Sequence, residues 1–332
     1  MNILVTGSTG FIGSHLVRKL IEMGHTVRAF YRSSSASRSL ENLPVEHVLG
    51  DLTQPESIRA AMQDIEIVFH AAAMSGGRDD PGRMYAVTVE GTRAVLQAAR
   101  AAGVHRLVYT SSVAALGVPD QAQSPGLRPP LINENHTWNF PPEYWPHGYA
   151  KYLAELEVQR AIASGLDVVI VNPSVVFGRG DVYRQNSSLV VQIARQRLHM
   201  ITSGGMNIVH IDDVVAGHLA ALERGQCGER YILGGENMTL LEVVSMIGEV
   251  VGKPPPRVMI PVSLVRLLTP PARILAPFLS LPVDISILRL VGRYFYYDLR
   301  KSFSELGLAP PRQAVQAVTD AYNWFRTAGA VG

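Results

Sequence analysis

With 332 residues, the chain is long enough for one large or two medium domains around a well-buried core. Hydrophobic residues make up 47% and charged residues 17%, and the net charge of +2 comes from scattered basic residues, so nucleic acid is not an expected partner. No run reaches the about eighteen apolar residues of a membrane span, and the chain opens directly on the apolar Asn2-Ile3-Leu4-Val5, so a cytoplasmic protein without a signal peptide is expected.

In chain order, short apolar runs alternate with amphipathic stretches, the pattern of parallel βαβ units. Strands are predicted at Asn2–Thr6, Thr26–Tyr31, Glu46–Leu49, Ile65–His70, Arg106–Ser111 and Asp167–Val171, with a late strand at Arg230–Leu233. Helices are predicted at Phe11–Met23, Pro55–Met62, Thr88–Ala102 and Tyr149–Ser164, where apolar residues recur every three or four positions. Residues 118–148 carry seven prolines and no sustained period, which marks a long irregular loop of the kind that often forms a lid. The single cysteine, Cys227, reads as a small turn residue near Gly225 and Gly228, and excludes an internal disulfide or a cysteine-cluster metal site. From about Asn237 the pattern is helical and broken by paired prolines. Val258–Val291 is apolar with Arg266, Arg273 and Arg289 interspersed; it reads as core and cleft lining, with peripheral membrane contact the less favoured reading. The expected architecture is therefore α/β. A Rossmann-type doubly wound parallel sheet occupies residues 1–175, with 208–235 returning to it. A smaller, mostly helical substrate domain is built from 176–207 and 236–332.

The strongest local signal is Val5-Thr6-Gly7-Ser8-Thr9-Gly10-Phe11-Ile12-Gly13, which links the first strand to the first helix. Gly7 permits a tight turn, Gly10 lets backbone approach a pyrophosphate, and Gly13 allows close helix–strand packing. The helix start offers free N–H groups and the positive end of a dipole to the phosphates. At the end of the second strand an NAD site usually places a carboxylate for the ribose hydroxyls. This chain has Tyr31-Arg32-Ser33-Ser34 there, with Arg38 beyond, so NADP is expected ahead of NAD, Arg32 pairing with the 2′-phosphate. Asp51 has two readings, an acceptor for the adenine amino group or a turn aspartate ahead of Pro55.

These residues resemble the extended short-chain dehydrogenases/reductases, in the dihydroflavonol-reductase-like and sugar-epimerase-like branch. The matching stretches are TGSTGFIGSHL (6–16), GDL (50–52), HAAA (70–73), VEGT (89–92), LVYTSSVAALG (107–117), KYLAE (151–155), VNPSVVFGRGD (171–181), VHIDDVVAGHLAAL (209–222) and GERYILGGENMTLLEV (228–243), all in the family's order. The resemblance implies a seven-stranded sheet with the cofactor across its carboxyl edge and a C-terminal domain that chooses the substrate. It also implies cofactor contacts from Thr9, Phe11, Ile12, Leu52, Ala71, Ala72, Ala73, Pro173 and Ser174, and a homodimer built on two long helices.

In that family a tyrosine four residues before a lysine moves the proton, the lysine holds the ribose, and a serine or threonine bonds the reacting oxygen. Positions four apart share a helix face, so both groups reach one place. Lys151 and Ser112 match the lysine and the hydroxyl residue, but His147 stands where the tyrosine belongs. Ala150 replaces the usual serine and Thr88 the usual asparagine. Four readings follow. His147, with an ordinary pKa of about 6.5 that Lys151 would lower, replaces the tyrosine. Alternatively Tyr144, Tyr149 or Tyr152 serves after a distorted helix start, although on a regular helix Tyr149 points roughly 200° away from the lysine. Otherwise water or substrate carries the proton, or the site only binds cofactor. Tyr297 and Lys301 have the literal spacing but lie too far down the chain to belong to the site. His210-Ile211-Asp212-Asp213 reads as a strand–helix junction capped by Asp212 or Asp213, not a metal site. No metal is expected. Tyr294-Phe295-Tyr296-Tyr297 reads as a buried strand ahead of a cleft lining.

Three functions remain open on this reading. One is an NADP(H)-dependent reductase or dehydrogenase acting on a small, fairly apolar carbonyl or alcohol. Another is a nucleotide-sugar epimerase or dehydratase, with Arg179, Arg184, Arg195 and Arg197 as candidates to grip a diphosphate. A third is a non-catalytic dinucleotide-binding subunit.

Overall fold

The computed structural model describes residues 1–32, 39–74, 80–120, 129–182, 188–256, 258–267 and 288–331. Arg38, Arg184, Arg273 and most of 258–291 therefore lie outside the described residues. Strands β1 (Asn2–Thr6), β2 (Thr26–Tyr31), β3 (Glu46–Leu49), β4 (Ile67–His70), β5 (Arg106–Thr110), β6 (Val168–Pro173) and β10 (Arg230–Leu233) form one sheet in the order β10-β6-β5-β4-β1-β2-β3, parallel throughout. The strand order reverses between β1 and β4, which opens a crevice at their carboxyl ends.

Alternation along the strands decides which helix covers which face. Ile3 and Val5 of β1 pack with Leu16, Val17 and Leu20 of α1 (Phe11–Glu22) and with Ile211, Val214 and Val215 of α7 (Ile211–Arg224). Leu4, between them, faces the other side. It packs there with Ile58 of α2 (Pro55–Ala61), Val95 and Leu96 of α4 (Gly91–Ala101), and Ala154 and Val158 of α5 (Pro146–Ala163). Each central strand is covered twice, which is why it reads as an unbroken apolar run.

Two helix starts fall earlier than the apolar periodicity suggests. A short helix α3 (Pro81–Tyr85) precedes α4; Asp80 caps it by accepting from Gly82 N, and Pro81 sits where no N–H is needed. A wider π turn, Ala86–Glu90, joins α3 to α4. Thr88 in that turn accepts from Met74 N at 3.2 Å, and its carbonyl accepts from Thr92 Oγ1 at 2.6 Å. Pro146 likewise starts α5 three residues ahead of Tyr149, so His147 is already helical.

The second lobe carries two small sheets beside its helices. Strands β7 (Val175–Phe177), β9 (Gly205–His210) and β11 (Glu236–Thr239) form one in the order β11-β9-β7, and β8 (Met200–Thr202) pairs with β12 (Val258–Ile260) in the other. Helices α6 (Ser188–Ala194), α8 (Leu240–Val251) and Ala314–Thr327 share a core with the three-stranded sheet through Phe177, Ile208, Val190, Val244, Ile247 and Phe325. Thr239 and Glu242 close a reciprocal capping box at the start of α8. Tyr294–Tyr297 is extended, held by single bridges from Gly205 to Tyr294 and from Ile132 to Tyr297, and Tyr297 is buried.

Candidate active site

At the crevice, the loop after β1 is shaped by what a side chain would strike. Gly7 has φ +66°, and a Cβ there would lie 2.7 Å from Ala72 Cα, so the loop rests directly on the Ala71-Ala72 backbone. A Cβ on Gly13 would lie 2.2 Å from the Gly7 carbonyl oxygen, so α1 can approach the strand only with glycine at that position. Gly10 is the extended residue before α1 and no side chain caps the helix. Its first N–H groups, on Phe11, Ile12 and Gly13, therefore have no partner within the helix. Thr9, Gly10, Phe11 and Ile12 are half-buried at the crevice surface, as are Ala71, Ala72 and Ala73 on its other side. This uncapped helix end suits a pyrophosphate.

Arg32 is exposed at the end of β2, and its charge reaches Asp51. Asp51 accepts from Thr53 N at 2.9 Å and Thr53 Oγ1 at 2.8 Å, which makes it a turn residue. Burial pushes its carboxyl upward, but the Thr53 bonds, Arg32 and Arg83 outweigh this and hold it below its ordinary range. The adjacent Leu52 is buried against Gly91, where a Cβ would come within 2.7 Å.

The candidate catalytic residues gather on α5 and the loop after β5. Ser112 is the extended residue before a turn of 3-10 helix, Val113–Leu116, and its Oγ accepts from Ala114 N at 3.1 Å. Lys151 is buried, with Nζ donating to Thr110 O at 3.2 Å and lying 5.8 Å from the Tyr109 ring. Burial lowers its pKa to about 8, partly offset by the charge of Glu155. His147 lies one helical turn before Lys151 on α5. Its Nδ1 is buried with no hydrogen-bond partner, and burial followed by the Lys151 charge lowers its pKa to about 4. The imidazole is neutral at pH 7.

The helix is regular from Pro146, so no distorted start redirects a tyrosine. Tyr149 packs instead with Trp138 at 5.5 Å and Tyr152 at 6.2 Å between ring centroids. Ala150 is buried against Met84 and Val89.

A buried polar network holds these groups from below. Glu155, fully buried one turn after Lys151, accepts from Ser111 Oγ and from Asn172 Nδ2 at 2.7 Å, and pairs with Arg230 Nε at 2.7 Å. Asn172 Nδ2 also donates to Ser112 O at 3.0 Å. Sequence reading passed over Glu155, although its position four after Lys151 was the signal that it shares the buried face. His70 is a second missed residue. Its Nδ1 meets Thr6 Oγ1 at 2.6 Å and its Nε2 meets Thr92 Oγ1 at 3.1 Å. Thr92 donates its own proton to Thr88 O, so Nε2 carries the hydrogen and Nδ1 accepts. Pro173 closes β6, and Ser174 Oγ donates to Asn207 Oδ1 at 2.7 Å, tying the loop after β6 to the small sheet.

Other candidates have structural roles. The cap of α7 is His210, not Asp212 or Asp213: its Nδ1 accepts from Asp212 N at 3.0 Å because the ring is buried beside the helix start while both carboxylates face arginines. Arg179 pairs with Asp212, and Arg195 and Arg197 are exposed beyond the end of α6. Lys301 pairs with Glu229 at 2.5 Å, far from any role with Lys151. Cys227 is a free, exposed cysteine in a turn. Among the described residues no three His, Cys, Asp or Glu side chains could hold a metal, and no helix is long and apolar enough to cross a membrane.

Residues 3–234 match the model of the NAD dependent epimerase/dehydratase family. The chain belongs to that family. It is similar to the "Putative dihydroflavonol 4-reductase" of Synechocystis sp. (36% identity, covering 98% of this chain and 95% of the relative). It is equally similar to the "Sterol demethylase protein B" of Methylococcus capsulatus (36%, covering 100% of both). Among solved structures it resembles gox2253, with a TM-score of 0.86 and 36% identity over 99% of each chain. At this level the chain is an NAD(P)-binding oxidoreductase of the extended short-chain dehydrogenase/reductase type.

Proposed function

We propose that the protein is an NADP(H)-dependent oxidoreductase that interconverts a carbonyl and an alcohol on a small, fairly apolar substrate, with His147 handling the proton. The observation that carries this reading is the buried, unpartnered Nδ1 of His147, one turn before Lys151 on a regular helix. A buried ring nitrogen without a partner costs stability, and one beside a lysine at family spacing has a use in receiving a proton. In the oxidising direction the neutral imidazole takes the hydroxyl proton of the substrate; in the reducing direction it first takes up a proton from water and passes it to the new alkoxide. Ser112 has its Oγ lone pair occupied by Ala114 N, which leaves its O–H to donate to the reacting oxygen. Lys151 projects its ammonium beside the same helix face, where it holds the nicotinamide ribose and steadies negative charge on the oxygen. When bound, the nicotinamide supplies or takes up the hydride. Arg32 favours the phosphorylated cofactor, because a guanidinium pairs well with a 2′-phosphate and no carboxylate replaces it at the end of β2.

The test uses NADPH and NADH deuterated at the transferring nicotinamide carbon, incubated with ketones, aldehydes and nucleotide sugars, with products scanned by mass spectrometry. Deuterium on the carbinol carbon of the alcohol formed from a ketone or aldehyde with NADPH is expected. Tight NADPH binding with no label in any product would overturn the catalytic reading in favour of a binding subunit. In parallel, Arg32→Ser is expected to weaken NADPH about tenfold or more, the loss of one charged hydrogen bond, while leaving NADH binding unchanged.

A further inference from the structure

Glu155 takes no part in the proton and hydride steps, yet it is fully buried beneath the groups that do. Burying a carboxylate is costly unless its charge is answered. Its partners come from three strands of the sheet. Ser111, after β5, donates its hydroxyl; Asn172 of β6 donates Nδ2 at 2.7 Å; and Arg230 of β10 brings its guanidinium Nε to 2.7 Å. The Asn172 amide nitrogen and the guanidinium can only donate, which is the company of an ionised carboxylate.

These contacts lead to the reacting end. Asn172 Nδ2 also donates to Ser112 O at 3.0 Å, so the carboxylate and the Ser112 backbone hang on one amide group. On α5, Glu155 follows Lys151 by one turn on the same buried face. Lys151 Nζ itself bonds a neutral carbonyl, that of Thr110, and lies over the Tyr109 ring. The titratable groups whose charges it meets are His147 on α5, His70 on β4 and Glu155. Burial first and Lys151 second hold the two imidazoles at about 4 and about 3. Burial first and Glu155 second push the Tyr109 phenol above its ordinary range. Between about pH 6 and 10 the histidines and the phenol are therefore uncharged. Of these neighbours, only Glu155 offers a charge opposite to the ammonium.

We propose that Glu155 is a positioning residue for the reacting end: its carboxylate is the counter-charge that keeps Lys151 an ammonium inside the core, and through Asn172 it holds the Ser112 backbone in the same frame. Arg230 completes that frame. By engaging the carboxylate from β10, it leaves the Lys151 ammonium free for the ribose and the reacting oxygen. Burial already lowers Lys151 to about 8 against the pull of Glu155, and without that pull it would fall further. A neutral amine would no longer steady negative charge on the oxygen. This rests on the reading of Lys151 and Ser112 as parts of the reacting end, and it adds what keeps that end charged.

The test reads Lys151 directly. The chain has four lysines, Lys19, Lys151, Lys253 and Lys301, so protein labelled with carbon-13 at the lysine ε carbon gives four signals to follow by NMR as pH is raised. Lys151→Met identifies the signal. Its midpoint is expected at about 8 in the wild-type protein. Glu155→Gln is expected to lower that midpoint by about one pH unit or more, the scale of one opposite charge lost at close range. Glu155→Asp keeps the charge and is expected to lie closer to the wild type than Glu155→Gln does. A role confined to packing predicts the opposite sign, because loosened packing admits water and raises the midpoint toward the ordinary 10.5 in both variants. If glutamine leaves Arg230 too poorly answered for folding, Glu155→Gln with Arg230→Met removes both buried charges together, and the same downward shift is expected. A midpoint that stays in place or rises when Glu155 loses its charge would overturn the inference. The titration needs neither substrate nor hydride transfer, so a protein that reduces nothing still reports on Glu155. Conversely, an unmoved midpoint in an active enzyme would overturn the role of Glu155 alone.

Discussion

His70 and His147 are both held neutral beside Lys151, and they differ in what their nitrogens touch. Burial, with the Lys151 charge second, lowers His70 to about 3 and His147 to about 4. His70 is wholly buried and both of its nitrogens are engaged, by Thr6 and Thr92. Through those bonds it fixes the end of β1 under the glycine loop and ties it to the first turn of α4. His147 is partly open and its Nδ1 has no partner. A low pKa therefore does not distinguish the two histidines; the unanswered nitrogen does.

The largest effect expected from breaking that comparison is on chemistry. His147→Ala should lower turnover by about 10²–10⁴-fold, the usual contribution of a positioned acid or base, while NADPH affinity stays within about threefold. Steady-state kinetics alongside cofactor titration checks this, and unchanged turnover would remove His147 from the proton path. His70→Ala should act the other way round. Leaving Thr6 and Thr92 without their partner should cost about 1–3 kcal/mol of stability on the scale of unmet buried hydrogen bonds, read by denaturant melting. A pH scan of thermal stability should give a gentler, shared signal. The unfolded histidines take up protons near pH 6.5, whereas the folded His147 resists to about 4 and His70 to about 3. The unfolded state thus binds more protons in that window, and stability should fall as pH drops from about 6.5 toward 4. The fall should be shallower in His147→Ala than in the wild type. A slope unchanged by that substitution would mean that His147 is not held neutral.

The helical spacing from His147 to Lys151 was readable before any coordinates, as were the strand–glycine–helix unit, the parallel order of the first strands and the absence of the usual tyrosine. These are properties of neighbours along the chain, where backbone geometry converts spacing directly into position. Gly7 and Gly13 belong to the same class, because only a residue without a Cβ fits a loop packed on Ala72 or on its own carbonyl. What periodicity left unannounced involves partners far apart in sequence: the small sheets of the second lobe, Glu155 answered by Arg230, and Arg293 brought beside Phe140. Asp51 shows both levels in one residue. Its position after β3 was readable, while its engagement with Thr53 was decided by the local turn.

By itself, the sequence determined that this is a doubly wound dinucleotide-binding chain with His147 one helical turn before Lys151, because glycine sterics and helical spacing act locally. Only the tertiary structure decided that His147 Nδ1 is buried without a partner while both ring nitrogens of His70 are engaged. Hydrogen-bond satisfaction and charge balance depend on which distant side chains the fold brings within a few ångströms, and no spacing along the chain encodes that.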